Sequence, residues 1–351
     1  DIQYSLSVNK VGGGIITATA LPLADSSGIN CSLDACSQSY PLFSAVQLTA
    51  VATQGSVFSG YHTLKDDGTI DTNVDNECAD GQLNMTANFT CIANFITNVL
   101  VVDGTQDFGP YKDQNAYAIL LNQVNGDLGG INSDVWSVRS PASGNNVGGR
   151  AEPIESDLAN YGRVIWYTGS TSVATGGIIA GPSTAAEASL ASYLDAGGCL
   201  LMSSPEYFKD RGLTPFMQNY LGISAITPDV IEAYVKGAGA QSLGFSELSV
   251  DSFAGTLSAG YFGFQGDFPP YLSDALIRNP AITGTDALFT YRVSGAEAAV
   301  AVDSGSYRTA FFGFPFLGIG AGEKQINTMR AFMNYCEEPY LIDDIFEPND
   351  T

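Results

Sequence analysis

The side chains that could do chemistry in this chain are concentrated at the ends of two predicted strands. Asp103 ends one apolar run, and Ser203, Ser204 and Glu206 follow another. Open α/β sheets bind ligands in the crevice at the carboxyl ends of their strands, so we expect these four residues to line one crevice. A serine there could act as a nucleophile, and two carboxylates could hold a cation or a sugar hydroxyl.

A base that could activate such a nucleophile is hard to find. The chain has 351 residues and one histidine, His62, which lies outside residues 97–336. Histidine is the usual proton shuttle near neutral pH. His62 has no evident catalytic partner, so we expect a solvated residue in a turn-rich loop. Ser203 and Ser204 stand before Pro205, a pattern typical of helix starts, and we predict that both cap the next helix.

The charge balance excludes some classes of partner. The chain has 37 acidic and 14 basic residues, and its formal net charge is −23. Such a charge repels phosphate backbones and anionic lipids, so we expect no nucleic acid partner and no membrane insertion. Solubility in a salty extracellular medium explains this charge. Calcium binding by clustered carboxylates is the alternative left open, and we expect no other cofactor.

Six cysteines indicate an oxidising compartment. Cys31 and Cys36 flank a short loop, and Cys78 and Cys91 bracket a predicted hairpin, so each pair is placed to form a disulfide. Zinc binding is not expected, because no CxxC pair and no nearby histidine completes a tetrahedral site. We therefore predict an extracellular or cell-surface protein whose leader has been removed.

Residues 1–96 have the pattern of a small all-β domain. Polar and apolar residues alternate in Tyr4–Val8, Ile15–Thr19 and Ala45–Val51, with glycine-rich turns between them.

Several motifs in this part of the chain carry a resemblance to a known family. Together they are similar to the internalin-type B-repeat of bacterial surface and secreted proteins, although Tyr61 stands where members often carry tryptophan. The resemblance implies a stalk or adhesion module. The motifs are Tyr4–Val8, Ile29–Cys31, Cys36–Pro41, Val46–Ala50 and Gly55–Tyr61.

Residues 97–336 change to short apolar strands separated by helices. Such alternation forms parallel sheets with right-handed crossovers, so we predict a three-layer α/β sandwich with a mainly parallel sheet. Segment 225–310 is interpreted as further strands of this domain with insertions. The predicted strands are Val99–Asp103, Val135–Val138, Val164–Gly169, Leu200–Ser204 and Thr309–Phe314, and the predicted helices are Ala116–Val124, one that starts at the capping box Thr184–Glu187, and Glu323–Tyr335.

The last predicted helix suggests a third disulfide. A helix that leaves the carboxyl end of a parallel strand finishes near the amino ends of the strands, where Cys199 begins the fourth strand. Cys199 and Cys336 are therefore predicted to pair and to pin this helix to the sheet.

The order of these elements resembles the class I glutamine amidotransferase-like fold, in the version appended to secreted bacterial peptidases. The matching segments are Val99–Asp103, Leu158–Gly169, Leu190–Gly198 and Phe216–Gly222.

Active members of that family carry Gly-x-Cys-x-Gly at the turn after the fourth strand and Phe-His-Pro-Glu after a late strand. The corresponding segments here are Met202–Glu206 and Phe316–Ile319, which contain neither cysteine nor histidine. The resemblance thus implies the fold without the family's nucleophile and base, and we predict that the chain is not an enzyme.

Residues 337–351 are predicted to be an acidic linker to a missing domain. The final segment, Glu347–Thr351, resembles the start of a bacterial pre-peptidase C-terminal domain. We predict a structural, adhesive or assembly protein whose partner is a protein or glycan surface or a second copy of itself. Two alternatives stay open: an accessory fragment of a secreted peptidase, and a carbohydrate-binding module that uses Asp103 and Glu206.

Overall fold

The computed structural model describes residues 2–11, 13–21, 29–31, 35–53, 55–71, 73, 76–105, 113–125, 130–138, 150–169, 179–230, 235–238, 273–319 and 323–336. The chain divides into two compact units, and their boundary at Asn98 lies inside one strand. The first unit is Asp1–Asn98 with Asn125–Asn132 and Glu337–Thr351, and the second is Val99–Val124 with Ser133–Cys336. The predicted linker, 337–351, lies outside the described residues.

The first unit is built from strands in its described part. The sequence alternates as the predicted strands require: Val46 and Leu48 are buried, whereas Ala45 and Thr49 beside them are exposed. The strands are β1 (Gln3–Val11), β2 (Gly14–Leu21), β3 (Asn30–Cys31), β4 (Ala35–Pro41), β5 (Ala45–Ala52), β6 (Ser56–Leu64), β7 (Ile70–Asp71), β8 (Gln82–Asn84) and the first part of β9 (Phe89–Asp103).

These strands form two sets that share one core of buried residues. One set has the order β3-β2-β5-β8, and in the other β9 pairs with β1 on one side and β6 on the other. Disulfides join Cys31 to Cys36 and Cys78 to Cys91, the same pairs that the spacing predicts. The predicted hairpin between Cys78 and Cys91 is wrong, because β8 pairs antiparallel with β5.

The second unit combines strands with six described helices. Among the described residues of the whole chain, no helix is long and apolar enough to cross a membrane. The strands after β9 are β10 (Ile131–Ser137), β11 (Arg163–Tyr167), β12 (Cys199–Ser203), β13 (Ile223–Thr227), β14 (Val235–Gly237), β15 (Ala275–Arg278), β16 (Thr285–Tyr291), β17 (Glu297–Asp303) and β18 (Arg308–Phe312). The helices are α1 (Asp113–Asn125), α2 (Glu155–Leu158), α3 (Thr184–Asp195), α4 (Tyr207–Arg211), α5 (Pro215–Asn219) and α6 (Glu323–Tyr335).

The sheet of this unit is mixed. Its order is β13-β15-β17-β18-β12-β11-β9, and the four strands from β18 to β9 run parallel. The pairs β17/β18, β15/β17 and β13/β15 are antiparallel, as are β16/β17 and β14/β16. The predicted α/β architecture is present, but a mainly parallel sheet is wrong, because the strands of segment 225–310 are joined as antiparallel neighbours.

Helices cover both faces of the parallel strands. Neighbouring residues of a strand point to opposite faces. Trp166 packs in the same core cluster as Leu190 of α3, whereas the ring of Tyr167 stacks on Tyr117 of α1 with 4.3 Å between ring centroids. The three layers of the predicted sandwich follow from this alternation.

The N-cap of helix α3 lies one residue earlier than predicted. The side chain of Ser183, rather than Thr184, accepts a hydrogen bond from the Ala186 backbone N–H. Glu187 is buried and bonds the hydroxyl of Tyr207 instead of closing a capping box. The reason is tertiary: the Ser183 N–H donates to the carboxylate of the distant Glu152 over 2.8 Å, so a remote residue fills the place that the local pattern assigns to Glu187.

The last helix is attached to the sheet as predicted. Cys199 at the start of β12 forms a disulfide with Cys336 at the end of α6, with 5.7 Å between their Cα atoms. Nearby, the buried Arg163 guanidinium donates a hydrogen bond to the Met333 carbonyl over 3.0 Å. Together these contacts join α6 to the amino ends of two adjacent strands.

Candidate functional site

The carboxyl ends of four parallel strands lie side by side in the second unit. The strand registers place Asp103, Tyr167, Ser203 and Phe312 at the same level on β9, β11, β12 and β18. Asp103 and Ser203 are therefore two strands apart, about 10 Å by ordinary strand spacing. Asp103, Ser203, Ser204 and Glu206 are all at this edge and all buried, none more than 4% exposed.

The Ser203 hydroxyl links the end of β12 to the turn after β18. Its Oγ donates to the Phe314 carbonyl over 3.1 Å and accepts a hydrogen bond from the Phe316 N–H over 2.8 Å. The proton and one of the two lone pairs of the hydroxyl are thereby bound in the turn after β18. A serine nucleophile gives its proton to a base, whereas among the described residues the Ser203 proton is donated to the Phe314 carbonyl.

The Ser204 hydroxyl is also hydrogen-bonded inside the protein. Its Oγ accepts a hydrogen bond from the Thr168 hydroxyl over 2.8 Å, and the residue is fully buried. The prediction that the two serines cap the next helix is wrong, because Glu206 is the N-cap residue of α4 and makes no side-chain cap bond. Both hydroxyls are instead taken up by buried partners at the ends of neighbouring strands.

Aromatic rings fill the space beside these serines. Tyr117 stacks on Tyr167 and lies 6.0 Å from Phe316 between ring centroids, and Phe316 lies 5.5 Å from Phe312. Phe316 begins a short 3-10 turn, and the following Leu317 is buried. The segment Phe316–Ile319, which resemblance alone matches with the Phe-His-Pro-Glu motif, therefore contributes apolar packing.

Asp103 is used in its own turn. Its Oδ1 accepts hydrogen bonds from the backbone N–H of Thr105 over 2.9 Å and from the Thr105 hydroxyl over 2.6 Å. Glu206 follows β12, and β11 lies between that strand and the one that carries Asp103. The structure thus places the two carboxylates at one edge without bringing them onto adjacent strands.

The charged residues near Glu206 form a group that sequence reasoning missed. The Lys209 Nζ lies 3.2 Å from Glu206 Oε2 and 3.2 Å from Asp229 Oδ2. Asp274 accepts a hydrogen bond from the Asp229 backbone N–H over 3.1 Å. Asp274 directly precedes the apolar segment Ala275–Ile277. An acidic residue at the start of an apolar strand is the feature of the sequence that could have identified it. We call Glu206, Lys209, Asp229 and Asp274 the acid cluster.

Burial dominates the electrostatics of the acid cluster. It raises the pKa of the Asp274 carboxyl to about 8, and the negative charges of Glu206 and Asp229 add to the rise. Burial also raises the pKa of the Glu206 carboxyl, and the Lys209 ammonium opposes that rise. Asp274 thus holds a proton at neutral pH, in a place where only 2% of the residue is exposed.

The comparisons with known proteins leave the family open. No family model and no curated protein matches the chain. Solved structures match with low TM-scores. A ThuA-like protein from Bacteroides uniformis has 11% identity and a TM-score of 0.40, covering 70% of this chain and 95% of its own. A cytoplasmic protein from Salmonella typhimurium has 12% identity and a TM-score of 0.38, covering 67% and 98%. A β-galactosidase from Halorubrum lacusprofundi has 14% identity and a TM-score of 0.34, covering 68% and 30%.

The residues that could bind metal do not assemble in the described part of the chain. No group of three or more His, Cys, Asp and Glu side chains suited to a metal ion occurs among the described residues. All six cysteines are in disulfides. His62 is half-buried in β6 opposite Ile92, so its prediction as a solvated loop residue is wrong. The reason is that its alternating neighbours continue the strand.

Proposed function

We propose that this chain is a non-catalytic part of a secreted or cell-surface bacterial protein. In this proposal the α/β unit is a scaffold for structural, adhesive or assembly contacts. The observation that carries it is the Ser203 hydroxyl, which is held between the Phe314 carbonyl and the Phe316 N–H. The amidotransferase-like resemblance assigns this turn to the nucleophile, and here its hydroxyl maintains the fold.

Three disulfides support export, since such bonds persist in oxidising compartments. Partners are proposed to be a protein or glycan surface or a second copy of the chain. An accessory role within a secreted peptidase fits the same observations, and a peptidase signature in the full-length gene would favour that role.

Among the described residues at this edge, none favours the carbohydrate-binding alternative. Sugar sites present open aromatic faces beside polar groups. Beside Glu206, Tyr207 is fully buried and its hydroxyl bonds Glu187, while Phe208 is half-buried.

Turnover assays test the proposal. The purified full chain is incubated with a chromogenic ester, a peptide anilide and glutamine, beside Ser203→Ala and Ser204→Ala variants. We expect wild type and variants to give the same rates as buffer, because neither hydroxyl is available to a substrate. A wild-type rate tenfold or more above buffer that either variant abolishes would show a working nucleophile and contradict the proposal.

A further inference from the structure

Asp274 joins three parts of the second unit. Its backbone N–H donates to the Gly313 carbonyl at the end of β18 over 2.6 Å, and its carbonyl accepts from the buried Tyr291 hydroxyl of β16 over 2.9 Å. Its carboxyl accepts from the Asp229 N–H in the turn after β13. One residue thus connects the end of a central strand with the antiparallel strands beside it.

The turn after β13 depends on this connection. Asp229 has a φ of 55°, a left-handed conformation that residues with a side chain adopt at a cost. Val230 donates its backbone N–H to the Ser273 carbonyl over 2.7 Å, and the Ser273 hydroxyl donates to the Val230 carbonyl over 2.6 Å. Residues 228–230 are therefore held in place by Ser273 and Asp274.

The charges around Asp274 make its ionisation unfavourable. Glu206 comes from the turn after β12, Lys209 from α4 and Asp229 from the turn after β13. Asp210 of α4 adds a negative charge near Glu206. The Asp229 N–H and the Lys209 ammonium favour an ionised Asp274, but burial outweighs them and the ammonium already contacts both Glu206 and Asp229.

One carboxyl oxygen of Asp274 is buried without a hydrogen bond among the described residues. Among the described residues, its Oδ2 has no hydrogen-bond partner although the atom is buried. Burying an ionised carboxylate oxygen without a hydrogen-bond donor costs much more free energy than burying a neutral, protonated carboxyl.

We propose that Asp274 is a pH-sensitive latch. With its carboxyl protonated, Asp274 holds the 228–230 turn against the end of β18, and loss of the proton releases the turn together with the adjacent ends of β13 and β15. The conformational device is independent of whether the unit is catalytic.

Hydrogen exchange tests the latch. Amide protection, corrected for intrinsic exchange rates, is measured at pH 5.5 and pH 7.5 in peptides that cover 223–230 and 273–278. The closed state keeps a proton that the open state releases. Opening therefore becomes about tenfold easier per pH unit between about 3.9, the ordinary pKa of an exposed aspartate, and about 8, the pKa of the Asp274 carboxyl in the closed state. We expect protection of these peptides to fall by about 100-fold in wild type and to stay constant in Asp274→Asn.

Two further variants complete the design. Glu206→Gln removes a neighbouring negative charge, so we expect a smaller loss of protection than in wild type. Asp286→Asn, a matched change at a side chain 46% exposed, should behave like wild type. The latch is overturned if Asp274→Asn retains the full pH dependence. It is also overturned if, at both pH values, the peptides 223–230 and 273–278 are as strongly protected as the peptides of β11 and β12, because all of them then exchange only through global unfolding.

Discussion

Replacing Cys199 and Cys336 together with serine is expected to lower the free energy of unfolding by about 5 kcal/mol. The two residues are 137 positions apart, so their disulfide closes a long loop and restricts the unfolded chain strongly. Without the disulfide, α6 would be held to the sheet only by noncovalent contacts. Among them are the packing of residues such as Phe332 and the hydrogen bond from Arg163 to Met333.

The measurement is urea denaturation followed by tryptophan fluorescence. Both tryptophans, Trp136 and Trp166, belong to the second unit, so the signal reports on the unit that contains this disulfide. The comparison variant replaces Cys31 and Cys36 of the first unit, which are 5 positions apart and close a loop worth only about 2 kcal/mol. Because the first unit has no tryptophan, its unfolding is followed by far-ultraviolet circular dichroism. If the long-range pair costs no more than the control pair, the proposed role of Cys199–Cys336 is wrong.

Asp274→Asn is expected to stabilise the protein at neutral pH, by at most about 4 kcal/mol at pH 7. The folded state raises the pKa of Asp274 to about 8, whereas an unfolded aspartate has a pKa of about 3.9. Between these values the folded state must keep a proton that the unfolded state releases. Stability from this group is therefore fully present below about pH 4 and is lost as the pH rises through 8, at about 1.4 kcal/mol per unit.

Asparagine has no proton to lose, so it removes that dependence. Urea denaturation is measured at pH 4.5, 6 and 7.5. The free energy of unfolding of the variant should be close to that of wild type at pH 4.5 and should exceed it by more at each higher pH. Asp286→Asn provides the same change of net charge at an exposed site and should give a flat difference. A variant that is less stable than wild type at pH 7.5 would contradict the buried-acid account.

The sequence predicts those features that depend on local patterns. The apolar runs at Val164–Tyr167 and Leu200–Met202 mark two central strands, and the amphipathic period of 323–335 marks α6. The pairing of Cys199 with Cys336 follows from one topological rule about crossovers. These features can be predicted because each depends only on residues close in sequence or on a regular connection between a strand and a helix.

The acid cluster escapes sequence reasoning for a physical reason. Asp274 meets Asp229 only because β15 pairs antiparallel with β13, and no local pattern states which strands of segment 225–310 are neighbours. The serines show a related limit. Ser203 before Ser204 and Pro205 looks like a cap, yet the hydroxyl bonds a turn more than a hundred residues later in the chain.

Covalent labelling of the native chain tests the central claim, that the Ser203 and Ser204 hydroxyls maintain the fold instead of reacting. The folded protein is incubated with a fluorophosphonate at neutral pH, and its intact mass is measured beside a known serine hydrolase. The account predicts that the mass stays unchanged while the hydrolase gains one adduct. One adduct per native chain that disappears in Ser203→Ala or Ser204→Ala would contradict it.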